Sequence, residues 1–339
     1  MQKRIDNFFK YANETRDEVG KKEVEKKEVE KKEVSKYFYL SFTNKFKPDI
    51  QAIWLNERPK KINFMESMKD FYLCGYFPDY IDEKKFSLGK EAVYKNIHYL
   101  KSHLQKCIRK CDDNRAIQTG RHLLKLDANE LLRRLPIIML EDVFLHESFT
   151  TILWFMIANK TSFKMQKYMY EWILGLIYVL CKISKKDEYI DIVNNYSERE
   201  ISKEESSILY SIEIRGKYGG TEDDILFLEK CKKIWERRFL QKNVRVNTMK
   251  IRPICVHMSD MDINYWDLSA IDYHCNNKFI DIIGKKFDDI SHEDLQKMIW
   301  LNSSGVNKRE IKEIYMEESW NKIKSYVEKT QKYLLNSGY

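Results

Sequence analysis

Eight side chains able to bind a metal or move a proton crowd into CVHMSDMDINYWDLSAIDYHC (255–275): Cys255, His257, Asp260, Asp262, Asp267, Asp272, His274 and Cys275. Carboxylates gathered around a divalent cation polarise a phosphodiester, and a nearby imidazole can take the proton of the attacking water. On that chemistry Asp260, Asp262 and Asp272 are candidate Mg²⁺ ligands and His274 the candidate base of a nuclease-like site. Cys255, His257, His274 and Cys275 offer zinc a Cys2His2 alternative. The spacing, C-x-H then H-C, is not a familiar one, and adjacent His274 and Cys275 do not easily face one ion. A third reading is structural, with aspartates capping turns beside buried cysteine and histidine. No metal ligand is assigned and no cofactor is expected; Mg²⁺ enters only with the nuclease reading.

Two further stretches carry charge suited to phosphate. SIEIRGKYGGTEDD (211–224) places Gly216, Gly219 and Gly220 before a helix start, flanked by Arg215 and Lys217. Backbone N–H groups in such a loop can hold a phosphate. Glu222, Asp223 and Asp224 fill the first turn, which suits the helix dipole and repels an anion, so a structural turn is the expectation. Arg215 and Lys217 remain candidate contacts to a DNA backbone. EKCKKIWERRFLQKNVRVNTMKIR (229–252) has 9 Lys/Arg against 2 Asp/Glu, the strongest sign imbalance in the body of the chain. Lys232, Lys233, Arg237, Arg238, Lys242 and Arg245 are its phosphate-tracking candidates, a contact that salt would weaken. The alternative is a solvated helix; Trp235 and Phe239, one turn apart, are expected in the core. In CIRKC (107–111) two cysteines four residues apart share an apolar helix face and read as buried thiols.

These groups need a frame to hold them. With 11 glycines and 5 prolines in 339 residues, the chain favours long helices over a many-turned sandwich. KYFYLSF and IQAIWLN alternate and predict a short hairpin after residue 37. From Lys90 the pattern turns helical, with Val93, Ile97, Leu100, Leu104, Cys107 and Cys111 three or four residues apart. Asp127 and Glu130 predict a capping-box start for ANELLRRL, with Pro136 interrupting that helix or opening the next. Thr221 with Asp224 caps another helix running to about Phe239, and 292–301 and 307–335 read as the last helices. FTTILWFMIA (149–158) and WILGLIYVLC (172–181) are about half the length a membrane span needs, so a hairpin of two buried helices is expected and no membrane anchor. Seven cysteines and no apolar leader in 1–36 point to a reducing, intracellular compartment. The net charge of +8 permits a polyanionic partner without demanding one.

At the front, MQKRIDNFFK sets Gln2, Ile5, Phe8 and Phe9 in the spacing Q-x-x-[ILM]-x-x-[FY]-[FY]. One helical turn brings Ile5, Phe8 and Phe9 to one side as a three-pronged apolar plug, while Gln2 reaches a separate polar notch. This resembles the PIP box by which replication and repair proteins hold the sliding clamp PCNA; RIDNFFK is especially similar to the boxes of flap endonucleases. Replicative DNA ligases and nuclear uracil-DNA glycosylases also carry the box at the N-terminus. The resemblance implies a PCNA-type clamp as partner and a nucleus or a viral replication site as location. Behind it, KKEVEKKEVEKKEV (21–34) repeats every five residues, so Val24, Val29 and Val34 turn about 140° each and never form one face. Residues 1–36 are nearly neutral and read as a solvated spacer.

Residues 104–145 carry a second resemblance. Lys106, Ile108 and Arg109, then Asp112 and Asp113, Ala116, Arg133 and Arg134, and finally Glu141, Asp142 and Val143 match a pattern in the C-terminal helical domain of clamp-loader-clade AAA+ proteins, the group of bacterial RarA and the eukaryotic WRN-helicase-interacting ATPase. Phe144 stands where that family has glycine. The resemblance implies a collar-like helical fold and self-association; no GxxxxGK[ST] is present, so ATP hydrolysis is not carried over. The expected organisation is a clamp-binding peptide (1–10), a spacer (11–36), a small α+β element (37–90), a helical domain (91–240) and a mostly helical C-terminal region (241–339). The whole reads as a mainly α accessory protein of DNA replication or repair, with a clamp-tethered, metal-dependent nuclease as the alternative.

Overall fold

Alternation in the sequence becomes a sheet because one face of each strand has an apolar partner. A computed structural model describes residues 36–42, 49–77, 96–189, 199–241, 244–255, 266–270 and 277–337. Tyr37–Phe42 (β1) and Ile50–Leu55 (β2) pair antiparallel with Phe38 opposite Trp54, and the two rings stack at 4.0 Å. Two strands not foreseen, Phe64–Ser67 (β3) and Tyr72–Gly75 (β4), extend the sheet in the order β2-β1-β4-β3. β4 runs parallel to β1, placing Phe38 beside Leu73.

Nine α-helices among the described residues make the body mainly α. Ile97–Arg109 (α1) is followed by the long Asp113–Asp142 (α2), which bends where Asp127 leaves helical geometry. Asp112 and Asp127 each accept an amide three residues on, from Arg115 and Glu130, at 3.1 Å. The break therefore falls at the second cap, and Pro136 continues within the helix. Phe149–Ala158 (α3) is buried along its whole length. It does not form a hairpin with Lys167–Lys182 (α4): each packs chiefly on α2, and α3 also lies under the sheet.

Helix side chains complete the sheet. The Trp154 indole donates to the carbonyls of Phe38 (3.0 Å) and Cys74 (3.1 Å), pinning β1 and β4 together. On β2 the amides of Ala52 and Trp54 donate to the hydroxyls of Thr151 and Ser207, so an edge that would otherwise be open is occupied.

Lys203–Lys217 (α5) and Glu222–Leu240 (α6) form the next pair, with Trp235 and Phe239 fully buried as expected. Then come Leu268–Ala270, a single 3-10 turn, Asn277–Gly284 (α7) and His292–Ile299 (α8). A π turn, Trp300–Ser304, leads into irregular chain, and Glu317–Asn336 (α9) closes the body. Residues 307–316 are thus not helical, against expectation. Cys107 is buried, but Cys111 lies past the end of α1 with φ 57 and is only half-buried, so the two thiols do not share one helix face. The described residues, from 36 onward, form one compact unit.

Gly175 is where α4 meets a crossing strand of irregular chain: a Cβ there would lie 2.2 Å from the carbonyl oxygen of Arg252. Gly175→Ala is expected to cost about 1–3 kcal/mol by forcing that backbone away. A urea midpoint unchanged from the wild-type chain would refute the close approach.

Candidate functional site

Two helices offer the same stripe. α1 presents His98, Lys101, Ser102 and Gln105, and the second half of α2 presents Glu130, Arg133, Arg134 and Ile137. Both sets follow i, i+3, i+4, i+7, the spacing of one helix face. The corner between α5 and α6 closes the space with Arg215, Gly220, Thr221 and Asp224, leaving a pocket of about 400 Å³.

The corner is held by its own chemistry. Gly219 has φ 85, a left-handed conformation that favours glycine. Thr221 caps α6 by accepting the amide of Asp224 at 3.2 Å. Arg215 is buried; its guanidinium donates to the carbonyls of Gly219 (2.7 Å) and Arg133 (2.9 Å), fastening the corner to α2.

Positive charge dominates the pocket. Lys101 bonds Glu130 at 2.5 Å, and this hydrogen bond is the main cause holding the Glu130 carboxyl below its ordinary range. Arg134 reaches Asp224 and Glu141 at 3.8 Å and donates to Gln105 at 2.5 Å. Among the described residues Arg133 has one ion-pair contact, with Glu130 at 4.0 Å. Burial, followed by repulsion from Arg133, lowers Arg215 to about 10. Lys160, in the turn after α3, is pulled down by burial and then by Arg133 and Arg215. Such a crowd of cations can receive an anion.

The residues singled out from the sequence fare differently. Arg215 is a fastening inside the fold and lines the pocket from within, a correction to its role as a surface contact. Arg238 is also corrected: it is buried and forks onto Asp187, with contacts at 2.5 and 3.0 Å. Lys217 and Lys232 both bond Glu213, at 2.9 and 2.7 Å, while Lys233, Arg237 and Arg245 are exposed. Lys242 lies outside the described residues, as do Gln2, Ile5, Phe8 and Phe9.

Of the 255–275 cluster only Cys255 and Asp267 are described. Cys255 is exposed, and Asp267 bonds Lys110 at 2.6 Å and the Ser269 hydroxyl at 2.7 Å, a structural anchor. Asp260, Asp262, Asp272 and His274, with His257 and Cys275, lie outside the described residues. Among the described residues no three His, Cys, Asp or Glu side chains gather as a metal site.

Three residues quoted from 104–145 converge behind the pocket. Arg109 bonds Asp142 at 2.5 Å and Glu141 at 3.3 Å, and Gln105 donates to Asp142 at 2.7 Å. The pocket itself was not foreseen. Its signal was the matched spacing of Lys101–Ser102–Gln105 and Arg133–Arg134–Ile137 on two helices. Among the described residues no helix is long and apolar enough to cross a membrane. Comparison with known proteins finds no matching family model, no matching curated protein and no matching solved structure.

Proposed function

We propose that this chain is an accessory protein of DNA replication or repair. Gln2, Ile5, Phe8 and Phe9 hold a PCNA-type sliding clamp, and the helical body contacts DNA or a replication partner. The observation that carries the reading is the four-position spacing of that opening segment. Burial of three large apolar side chains yields roughly 5–9 kcal/mol gross. Ordering costs leave an affinity near micromolar. Lys3, Arg4 and Lys10 favour an acidic rim on the clamp. The body then needs little DNA affinity of its own, since tethering raises its local concentration. Exposed Lys233, Arg237 and Arg245, together with the cationic pocket, suit weak, salt-sensitive contact with phosphates.

Phe8→Ala with Phe9→Ala is expected to weaken clamp binding by about 100-fold or more, since each ring contributes at least ~1.5 kcal/mol. Calorimetry of the full chain against PCNA reads the effect, with circular dichroism confirming that the body keeps its fold. Equal affinity of the double variant and the parent would refute the assignment.

A further inference from the structure

The pocket between α1, α2 and the α5–α6 corner holds more positive charge than its own carboxylates neutralise. Lys101 is matched by Glu130, and Arg134 is shared among Asp224, Glu141 and Gln105. Among the described residues Arg133 has no comparable partner. Its nearest carboxylate oxygen is 4.0 Å away, on a Glu130 already bonded by Lys101, and among the described residues its guanidinium donates no hydrogen bond. Lys160 stands nearby in no ion pair among the described residues, 5.3 Å from the ring of Tyr218. A guanidinium fork with its donors unmatched, beside further cations, is the arrangement that receives a phosphate.

Three features narrow the anion. Lys101, Arg133, Arg134 and Arg215 line the pocket, with Lys160 beside them, against Glu130, Asp224 and the Glu141 next to Arg134, a surplus of two charges. That surplus suits a phosphomonoester, which carries about −1.5 to −2 near pH 7. A backbone diester carries only one negative charge. Among the described residues no Phe, Tyr or Trp lines the space and Ile137 is its one aliphatic side chain, so the lining favours a phosphate over a base. The concavity, about 400 Å³, admits a strand end, whereas continuous backbone is usually tracked along an open groove.

We infer that this pocket seats a terminal phosphomonoester of a nucleic acid strand, gripped by the Arg133 fork and flanked by Lys101, Arg134 and Lys160. The choice of a nucleic acid rests on the replication reading; the charge surplus does not. Recognition is of the phosphate, so the sequence of the strand is not read.

Fluorescence anisotropy of the full chain tests this with one labelled oligonucleotide bearing a phosphate at its 5′ end, at its 3′ end or at neither. At least one phosphorylated strand is expected to bind about tenfold tighter than the unphosphorylated one. Arg133→Ala should abolish that gap, Lys160→Ala should reduce it, and Arg133→Lys should restore part of it. Melting temperatures should move by only a few degrees, because among the described residues neither side chain donates a hydrogen bond, and the Lys160–Tyr218 ring contact and the long Arg133–Glu130 pair contribute about 1 kcal/mol or less each. Equal affinity for all three strands overturns the ligand, and a gap that survives in Arg133→Ala overturns the location. A nucleoside monophosphate that competes as well as the phosphorylated strand makes a free nucleotide the ligand and overturns the strand-end assignment. A phosphoserine peptide that binds tighter than either overturns it in favour of a protein partner. Should PCNA binding fail while the gap stands, the replication reading falls and the phosphate pocket remains; the reverse result removes the pocket alone.

Discussion

Replacing Arg309 with alanine is expected to lower the free energy of unfolding by about 3–5 kcal/mol, since charged hydrogen bonds contribute roughly 1.5–3 kcal/mol each and do not add fully. Arg309 lies in the irregular chain after the π turn. Its guanidinium donates to the carbonyls of Ile183 (2.7 Å), Ile108 (2.8 Å) and Leu180 (2.5 Å). Those oxygens belong to the ends of α1 and α4, where helices leave carbonyls without partners and where the dipole is negative. One side chain therefore caps two helices. Asn307 reinforces the same place by donating to the carbonyl of Asp142, the last residue of α2, at 2.8 Å. Removal of the guanidinium strands the carbonyls of three buried residues, which solvent reaches poorly. Arg309→Lys restores the charge but not the planar fork, and should recover less than half of the loss. Urea titration of the three chains measures this; a midpoint for Arg309→Ala equal to the parent's would sink the double cap.

Acidification from pH 7 to pH 5 should destabilise the body by about 2 kcal/mol for each of His103 and His122, by proton linkage. His103 is buried, and burial is the main cause pushing its imidazole down to about 3, with Arg115, Lys110 and His122 adding to the fall and Asp267 opposing it. Its bonding suits the neutral ring alone. Nε2 accepts the amide of Asp267 at 2.9 Å. Nδ1–H faces the Thr119 oxygen at 2.7 Å, whose own hydroxyl donates to Arg115. A proton on Nε2 would confront the Asp267 N–H. His122 is lowered to about 4, by burial and then by Arg121 and Lys125, and neither ring nitrogen has a hydrogen-bond partner among the described residues.

Both folded-state values lie below the unfolded value of about 6.5, so between these limits the unfolded chain binds more protons. The neutral rings' contribution is complete above about pH 6.5 and is lost as pH falls. His122→Gln should shrink the drop between pH 7 and pH 5 by about 2 kcal/mol, read as urea midpoints at the two values. An equally steep drop in that variant would show that His122 does not carry the proton.

Local chemistry was the most legible part of the sequence. Asp127 and Thr221 mark helix starts by their own side chains, and each accepts the amide three residues on. What sequence spacing could not show is which faces meet. Arg238 reads as a free surface charge until Asp187, fifty-one residues earlier, is brought against it. Arg215 reads as a loop cation, yet its acceptors include a carbonyl of α2. β3 and β4 are four residues each, too short for alternation to stand out, and exist because β1 offers an edge. The segment 307–316 has helical periodicity, but Arg309 and Asn307 are drawn off to cap other helices.

The anchorage of the sheet bears on how the chain is made. β1 and β2 leave the ribosome before the helices that cover them, carrying Phe38, Leu40 and Trp54, all buried in the finished body. The indole that joins β1 to β4 belongs to Trp154, 116 residues after Phe38. At 5–20 residues per second, that interval is roughly 6–23 s. For that time the amino-terminal ribbon carries uncovered aromatic surface, so a nascent-chain chaperone, or slow docking from the unfolded state, is built into the order in which the parts arrive.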